Sequence, residues 1–225
     1  DSKVVWILEV GRGVERCLIQ ASCTAEALSH YLPLVARIVD QADRRVLKGQ
    51  TVPPDEKLYS LFEEHTELIV RGKAGKPIEF GHKILVAQTG EKFIHHYQVM
   101  EKRIEDKELL MPAVEAHKEL FGSYPEVLST DKGFYASMKQ MEGLEAWIPV
   151  VSIAKKGRRT QAEYERETRE AFIDGQRFRA GSEGSISVLK RAFKLGKCFF
   201  KGVKNYAASV GLAVLCHNLV LLTRL

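Results

Sequence analysis

The order of short apolar runs between residues 68 and 151 constrains the fold more than any other feature of this sequence. Strand patterns at 84–87 and 93–99 flank Thr89-Gly90-Glu91, which favours a hairpin turn. Further along, the pattern predicts a helix at 106–121, a strand at 125–130, a short helix at 134–141 and a strand at 147–151. A hairpin followed by strands that alternate with helices predicts a mixed α/β layer with the hairpin at its edge.

The rest of the chain has mainly helical periodicity. Residues 24–48 carry apolar side chains at three- and four-residue steps, with Thr24 as the N-cap and Gly49 as the stop. Near the C-terminus we expect a charged helix at 161–170, a second helix at 182–195 and an apolar helix at 207–222. The apolar helix is short for a bilayer and carries His217 and Asn218, so it predicts a buried core helix.

Composition limits the class of protein. The 225 residues are 45% hydrophobic and 28% charged, which excludes a disordered or collagen-like chain. The length favours one large domain with extra helices. A net charge of +5 slightly favours an anionic partner such as nucleic acid. Four cysteines without zinc spacing indicate reduced thiols in a cytoplasmic protein.

Asp131 is the first candidate for a functional carboxylate. It directly follows the strand pattern at 125–130 and precedes Lys132 and Gly133. Ligands of open α/β sheets gather beyond the carboxyl ends of the strands, where a carboxylate can hold a metal ion. An aspartate that caps a helix or a turn would have the same sequence context, and both interpretations stay open here.

Glu183 is the second candidate, because Arg179 precedes it by four residues and Lys190 follows it by seven. On one helix, Glu183 and Lys190 would project from the same face. A carboxylate between two cations suits a site that binds a divalent metal ion and a phosphate. A surface helix with ordinary charged residues would show the same spacing.

A row of lysines extends from Lys190 towards the C-terminus at steps of four and three residues. Its members are Lys190, Lys194, Lys197, Lys201 and Lys204. On a continuous helix they would form one cationic stripe, although Gly196 and Gly202 weaken that helix. Like charges in a row repel one another, so the stripe indicates a phosphate backbone as partner; a solvated face is the alternative. The sequence contains no glycine-rich phosphate loop and no nucleophile elbow.

The spacing of Arg179, Glu183 and Lys190 resembles the third-carboxylate signature of bacterial insertion-sequence transposases of the DDE class, Y-x-x-R-x-x-x-E-x-x-x-x-x-x-K. Gln176 stands where the signature has tyrosine. Asp131, followed by glycine and an aromatic residue, is similar to the second carboxylate of that family. The similarity extends over roughly residues 25–225, including the segments 60–66, 79–83 and 178–191.

This resemblance implies a ribonuclease-H-like catalytic domain at 57–225, with a mixed sheet flanked by helices, after an N-terminal segment at 1–56 with a helical insertion. It implies metal-dependent DNA cleavage and strand transfer, in which Asp131, Glu183 and a carboxylate on the first strand hold Mg²⁺ or Mn²⁺. It also implies that the partners are insertion-sequence ends and target DNA rather than a membrane, bound by a homodimer in the cytoplasm. The residues expected to contact DNA are Arg179, Lys190, Lys194, Lys197 and Lys201.

The first carboxylate of the family is the point where this sequence departs from the pattern. Asp1-Ser2-Lys3-Val4-Val5 is similar to the D-[ST]-x-V-V sequence that carries it, which makes Asp1 the candidate. The alternative is an aspartate upstream of this chain, and the chain would then be a catalytically inactive remnant that only binds DNA. A third interpretation is an unrelated α/β hydrolase of small molecules, which predicts no salt-dependent affinity for DNA.

Overall fold

The computed structural model describes residues 13–70, 78–102 and 104–224, so the predictions for Asp1 lie outside the described residues. The chain divides into two compact units, Asp1–Leu68 and Ile69–Leu225. The boundary predicted from the sequence, between residues 56 and 57, falls within the first of these units.

A long helix forms most of the described part of the first unit. α1 (Gly13–Ala42) continues as a π-helical turn, Asp43–Leu47. The Arg37 Nε donates to the Glu56 carbonyl oxygen (2.8 Å) and thereby holds the segment that follows the helix. The predicted start at Thr24 is wrong: its hydroxyl donates to the Gln20 carbonyl oxygen (2.7 Å) inside the helix, an arrangement open to threonine as well as capping.

The second unit contains most of the strands and five further helices of the described chain. Its elements are β1 (Glu67–Val70, in which the division between the units falls), β2 (Ile78–Gly81), β3 (Ile84–Gln88), β4 (Ile94–Val99), α2 (Asp106–Phe121), β5 (Val127–Ser129), α3 (Met138–Glu145), β6 (Val150–Ser152), α4 (Gln161–Glu167), α5 (Glu170–Arg191) and α6 (Val203–Leu222).

The strands confirm a mixed α/β class. β3 and β4 form the predicted antiparallel hairpin, with Ile84 opposite Val99. β5 and β6 are parallel, with Ser129 opposite Ser152, and β1 pairs with β2. Among the described residues the strands therefore form three two-stranded sheets. The parallel pair brings the carboxyl ends of β5 and β6 to one edge, where ligands of α/β sheets commonly bind.

The largest group of buried side chains lies between α2, α3 and β6. Its buried members are Leu110, Val114, Met141, Leu144, Ile148, Val151 and Ile153. Phe134 and Tyr135, which follow Asp131 closely in the sequence, pack against this group and are partly buried. The core therefore anchors the turn that carries Asp131.

The helix predicted at 134–141 begins later than expected. A short 3-10 turn (Lys132–Phe134) comes first, and α3 starts at Met138 behind the cap residue Ser137, whose Oγ accepts from the Gln140 N–H (3.2 Å). Ser137 is a strong N-cap residue type, so the cap outweighs the aromatic run before it.

The helix predicted at 182–195 is also wrong in its bounds. α5 is continuous from Glu170 to Arg191, and the chain from 192 to 202 contains no helix or strand in the structure. The φ angles of Lys194 and Gly202 are positive, at 57° and 83° respectively. A residue with positive φ does not continue a right-handed α-helix. The lysines at 190, 194, 197, 201 and 204 consequently do not form one helical stripe, and that prediction is wrong.

α6 was predicted to be a buried core helix. In the structure only one of its faces is buried. Val210, Ala213, Val214 and His217 are buried, and the His217 Nε2 lies 3.2 Å from the Lys92 carbonyl oxygen. Other apolar residues are exposed, among them Leu212, Leu215 and Leu219. By length and composition alone α6 is the one helix of the described chain that could cross a membrane, a property that helices of soluble proteins share.

Candidate active site

Small side chains hold α5 close against the parallel strands. A Cβ atom on Gly175 would lie 2.5 Å from the Ser152 Cβ, so this position of α5 has no room for a side chain. The Ser129 Oγ donates to the Gly175 carbonyl oxygen (2.7 Å), and the Ser152 Oγ donates to that of Phe172 (2.6 Å). Both strands are thus tied to the same two turns of α5.

Gln176 fixes the helix against the end of β6. Its Nε2 donates to the Ser152 carbonyl oxygen (2.5 Å) and lies 3.2 Å from the Ser152 Oγ. This is the position at which the transposase signature has tyrosine. Here the amide anchors α5 to the sheet edge, and the next turns of the helix extend beyond the carboxyl ends of the strands.

The structure brings Asp131, Arg179 and Glu183 together at this edge. Arg179 lies one turn after Gly175, and its Nη1 forms an ion pair with the Asp131 Oδ1. Its Nη2 lies 3.4 Å from the Glu183 Oε1. The two carboxylate side chains are 66% and 70% exposed, whereas the Arg179 side chain is 25% exposed. One guanidinium therefore bridges two solvent-facing carboxylates.

The Asp131 side chain is not a cap. Asp131 precedes the 3-10 turn and its carbonyl oxygen accepts from the Phe134 N–H (3.1 Å), yet its side chain makes no capping hydrogen bond to the described residues. The carboxylate is directed to Arg179 instead. Asp131 is therefore the residue that begins the turn, but its side chain pairs with Arg179 instead of capping the turn, and its role as a metal ligand stays a prediction.

The chemistry of the two carboxylates fits part of a magnesium or manganese site. Carboxylate oxygens are the hard ligands that both ions prefer, and these two already share one cationic group, the guanidinium. Within residues 13–70, 78–102 and 104–224 no group of three or more His, Cys, Asp or Glu side chains is placed to hold a metal ion. The candidate third carboxylate, Asp1, lies outside these ranges.

A cavity of about 920 Å³ adjoins the two carboxylates. β3, α2, β5 and α5 line it, and Asp131, Arg179 and Glu183 are among its lining residues. Its wall also includes apolar side chains such as Leu110 and Phe178. Volumes of this size are typical of sites that enclose a small molecule.

Two histidines line the same cavity. The His95 and His117 rings are 5.0 Å apart in an edge-to-face arrangement. Burial, with smaller contributions from His117 and His96, lowers the pKa of His95 to about 4, and burial lowers the pKa of His117. The His95 Nδ1 has no hydrogen-bond partner among the described residues. At neutral pH this part of the cavity is therefore uncharged.

The predicted DNA-contacting lysines are exposed but lie on different elements. Lys190 is in the last turn of α5, Lys194, Lys197 and Lys201 are in the connection 192–202, and Lys204 is in the first turn of α6. None of the five pairs with a carboxylate of the described residues. From Gly184 to Leu225 the sequence has seven lysines and arginines and no aspartate or glutamate. This end of the chain is therefore strongly cationic.

The contacts that position α5 against the strands were not predicted from the sequence. Gly175 inside a helical pattern was the available signal, because an isolated glycine in a helix indicates close packing. Ser129 and Ser152 gave no signal of their own. Asp131, Arg179 and Glu183, which the structure brings together, were singled out from the sequence, whereas the residues that position α5 were missed.

Comparisons with known proteins found no match to this chain. No protein-family model matches this chain, and neither a curated protein nor a solved structure matches it.

Proposed function

We propose that this chain is the catalytic part of a DDE-class DNA transposase with a ribonuclease-H-like fold, which cleaves and transfers DNA strands. One observation carries the proposal: α5 places Glu183 and Arg179 beside Asp131, beyond the carboxyl end of β5. The two carboxylates can bind metal ions, and the guanidinium can bind the phosphate of a scissile phosphodiester.

In the proposed site Asp131 and Glu183 would hold Mg²⁺ or Mn²⁺ through their exposed oxygens. When bound, the ions supply polarisation of the scissile phosphate and orientation of the attacking oxygen, from water in cleavage or from a 3′-hydroxyl in strand transfer. Arg179 offers paired N–H donors, which suit a phosphate as well as they suit the carboxylates that they contact here. Asp1 is the proposed third carboxylate.

The lysines would bind the DNA backbone on both sides of the reacting phosphate. Lys190 lies eleven residues beyond Arg179 on the same helix, which corresponds to about 16 Å along its axis. Such contacts give affinity and register but do not read the DNA sequence. Recognition of insertion-sequence ends is therefore not assigned to these lysines.

The alternative function is that of an inactive remnant that only binds DNA. The observation that favours it is the number of carboxylates: the described residues contribute two to the site, and the resemblance calls for three. A remnant would keep the cationic C-terminal part and bind DNA without cutting it. The cavity beside the site favours the third interpretation, a small-molecule hydrolase, which predicts no salt-dependent affinity for DNA.

The test is Glu183→Gln, because it removes the charge of one ligand and keeps the shape of the side chain. We expect Mg²⁺- or Mn²⁺-dependent nicking of supercoiled DNA by the full chain, its loss in this variant, and DNA binding that is equal or tighter. Glu170→Gln, at the other end of α5, is the control and should cut normally. Normal nicking by Glu183→Gln would contradict the site. DNA binding without any nicking by the unmodified chain would favour the remnant.

A further inference from the structure

The connection between α5 and α6 (residues 192–202) exposes two adjacent aromatic rings. Phe199 is 75% exposed and Phe200 is 60% exposed, although phenylalanine is a residue type that proteins usually bury. Neither ring stacks on another aromatic ring in the part of the chain that the structure describes. Two exposed phenylalanines next to each other in the sequence are apolar surface of the kind that contacts a partner.

Hydrogen bonds tie both ends of this connection to the neighbouring helices. The Leu195 N–H donates to the Leu189 carbonyl oxygen (3.1 Å), which ties its start to the last turns of α5. The Asn205 Nδ2 donates to the Lys201 carbonyl oxygen (2.8 Å), which ties its end to α6. The two phenylalanines are therefore presented from a loop fixed at both ends.

Lysines flank the two phenylalanines in the sequence. Lys197 and Lys201 enclose Phe199 and Phe200 in the sequence, and Lys194 begins the connection. All three are exposed, and no carboxylate of the described residues pairs with them. Aromatic faces among free cations are the combination that binds single-stranded nucleic acid, since bases stack on the rings and lysines bind the phosphates.

We infer that the connection 192–202 binds unpaired nucleotides of DNA. Phe199 and Phe200 stack on bases, and the phosphates are bound by Lys194, Lys197 and Lys201. The inference rests on the proposed function in so far as DNA is the partner. A duplex hides the faces of its bases inside the stack, so the rings add nothing to duplex binding. Strand cleavage and transfer, by contrast, require strand ends that leave the duplex.

The position of the connection favours DNA over a membrane surface, the other partner that lysines and phenylalanines suit. The cations do not stop at the connection. They continue through Lys190 onto α5, the helix that carries Arg179 and Glu183. A membrane would contact the rings and the adjoining apolar face of α6. Binding to a membrane would not explain why the cations continue along α5 towards Asp131 and Glu183.

The experiment compares a 20-nucleotide single strand with a duplex of the same sequence, bound by the full chain at fixed salt and followed by fluorescence anisotropy. The Phe199→Ala/Phe200→Ala variant should bind the single strand about tenfold more weakly or worse, since base stacking is worth about 1–3 kcal/mol per base. Its duplex affinity should stay within about twofold of the unmodified chain. The Phe199→Trp/Phe200→Trp variant should restore single-strand binding. Tyr164→Ala, an exposed aromatic residue on α4, should change neither affinity.

The inference is overturned by unchanged single-strand affinity of the double alanine variant, or by equal losses for both DNA forms. It is also overturned if the rings matter only for co-sedimentation with vesicles of phosphatidylserine and phosphatidylcholine. Failure of the proposed function looks different: Glu183→Gln then nicks DNA normally, whatever the two phenylalanines bind.

Discussion

At the scale of single residues, Arg179 offsets the negative charges of Asp131 and Glu183 in the candidate site. Asp131 and Glu183 are both exposed and would otherwise face each other as like charges. The spacing of Arg179 and Glu183 on a helix, and the position of Asp131 behind a strand, could be predicted from the sequence. The contact between them could not be predicted, because that contact depends on how α5 crosses the sheet edge.

Gly175 is the residue on which this crossing depends. Gly175→Ala should lower the free energy of unfolding by about 1–3 kcal/mol, because the new Cβ would overlap Ser152. It should also reduce nicking, since α5 would have to move away from β6. Urea denaturation measures the first effect.

Gly181→Ala is the matched control on the same helix, because nothing lies within 4 Å of its added Cβ. This change should stabilise the protein slightly, by up to about 1 kcal/mol, since alanine is the better helix former. If both variants have the same stability, close packing at Gly175 does not position α5.

At the scale of elements, α4 supports the turn that carries Asp131. The Glu163 carboxylate accepts from the Lys155 Nζ (2.8 Å) and from the Tyr135 hydroxyl (2.6 Å). Glu163 also forms a capping box with Thr160 at the start of α4. Tyr135 follows the 3-10 turn behind Asp131, so α4 and this turn are held by one carboxylate.

These hydrogen bonds make the free energy of unfolding depend on pH in the acidic range. The hydrogen bonds from Lys155, then Thr160 and Tyr135, lower the pKa of Glu163 from 4.5 to about 2. A lowered pKa in the folded state adds stability that is complete above pH 4.5 and is lost as the pH falls towards 2. Glu163→Gln should therefore lower stability at pH 7 and reduce its fall between pH 4.5 and 2, measured by thermal unfolding. Glu165→Gln, on the same helix, should retain the fall; equal profiles for both variants would contradict this role.

The helices also show where sequence patterns predict well. The pattern at 106–121 is confirmed by α2 to the residue, and the hairpin by β3 and β4, because periodicity and turn residues are local signals. The continuity of α5 was missed because Gly175, Gly181 and Gly184 lower helix propensity within it. Contacts with the strands compensate for that, and they are not visible in a local pattern.

At the scale of the whole molecule, charge is distributed unevenly along the chain. The net charge of +5 understates the cationic character of the C-terminal part, which has seven basic residues and no acidic one from Gly184 onward. The sequence predicted the mixed α/β class from the order of its elements. Beyond the hairpin of β3 and β4, it did not predict which strands pair, and it did not predict the division at Leu68, since both depend on contacts between distant residues.

This distribution predicts the salt dependence of DNA binding. Each phosphate contact contributes about 0.9 to the slope of log K against log salt concentration. Lys194→Ala/Lys197→Ala/Lys201→Ala should therefore reduce the slope for duplex DNA by nearly three. Lys102→Ala/Lys107→Ala/Lys139→Ala removes the same charge from other exposed positions and should leave the slope unchanged. Equal slopes for the two triple variants would exclude the C-terminal lysines as the main phosphate contacts.

The central claim is that Asp131 and Glu183 form one divalent-cation site, and a Mn²⁺ titration followed by electron paramagnetic resonance tests it most directly. The unmodified chain should bind Mn²⁺, and Asp131→Asn and Glu183→Gln should each weaken binding by tenfold or more. The double variant should be little weaker than either single one, because both residues hold the same ion. Glu170→Gln should bind as the unmodified chain does. Unchanged Mn²⁺ affinity in both single variants would contradict the claim.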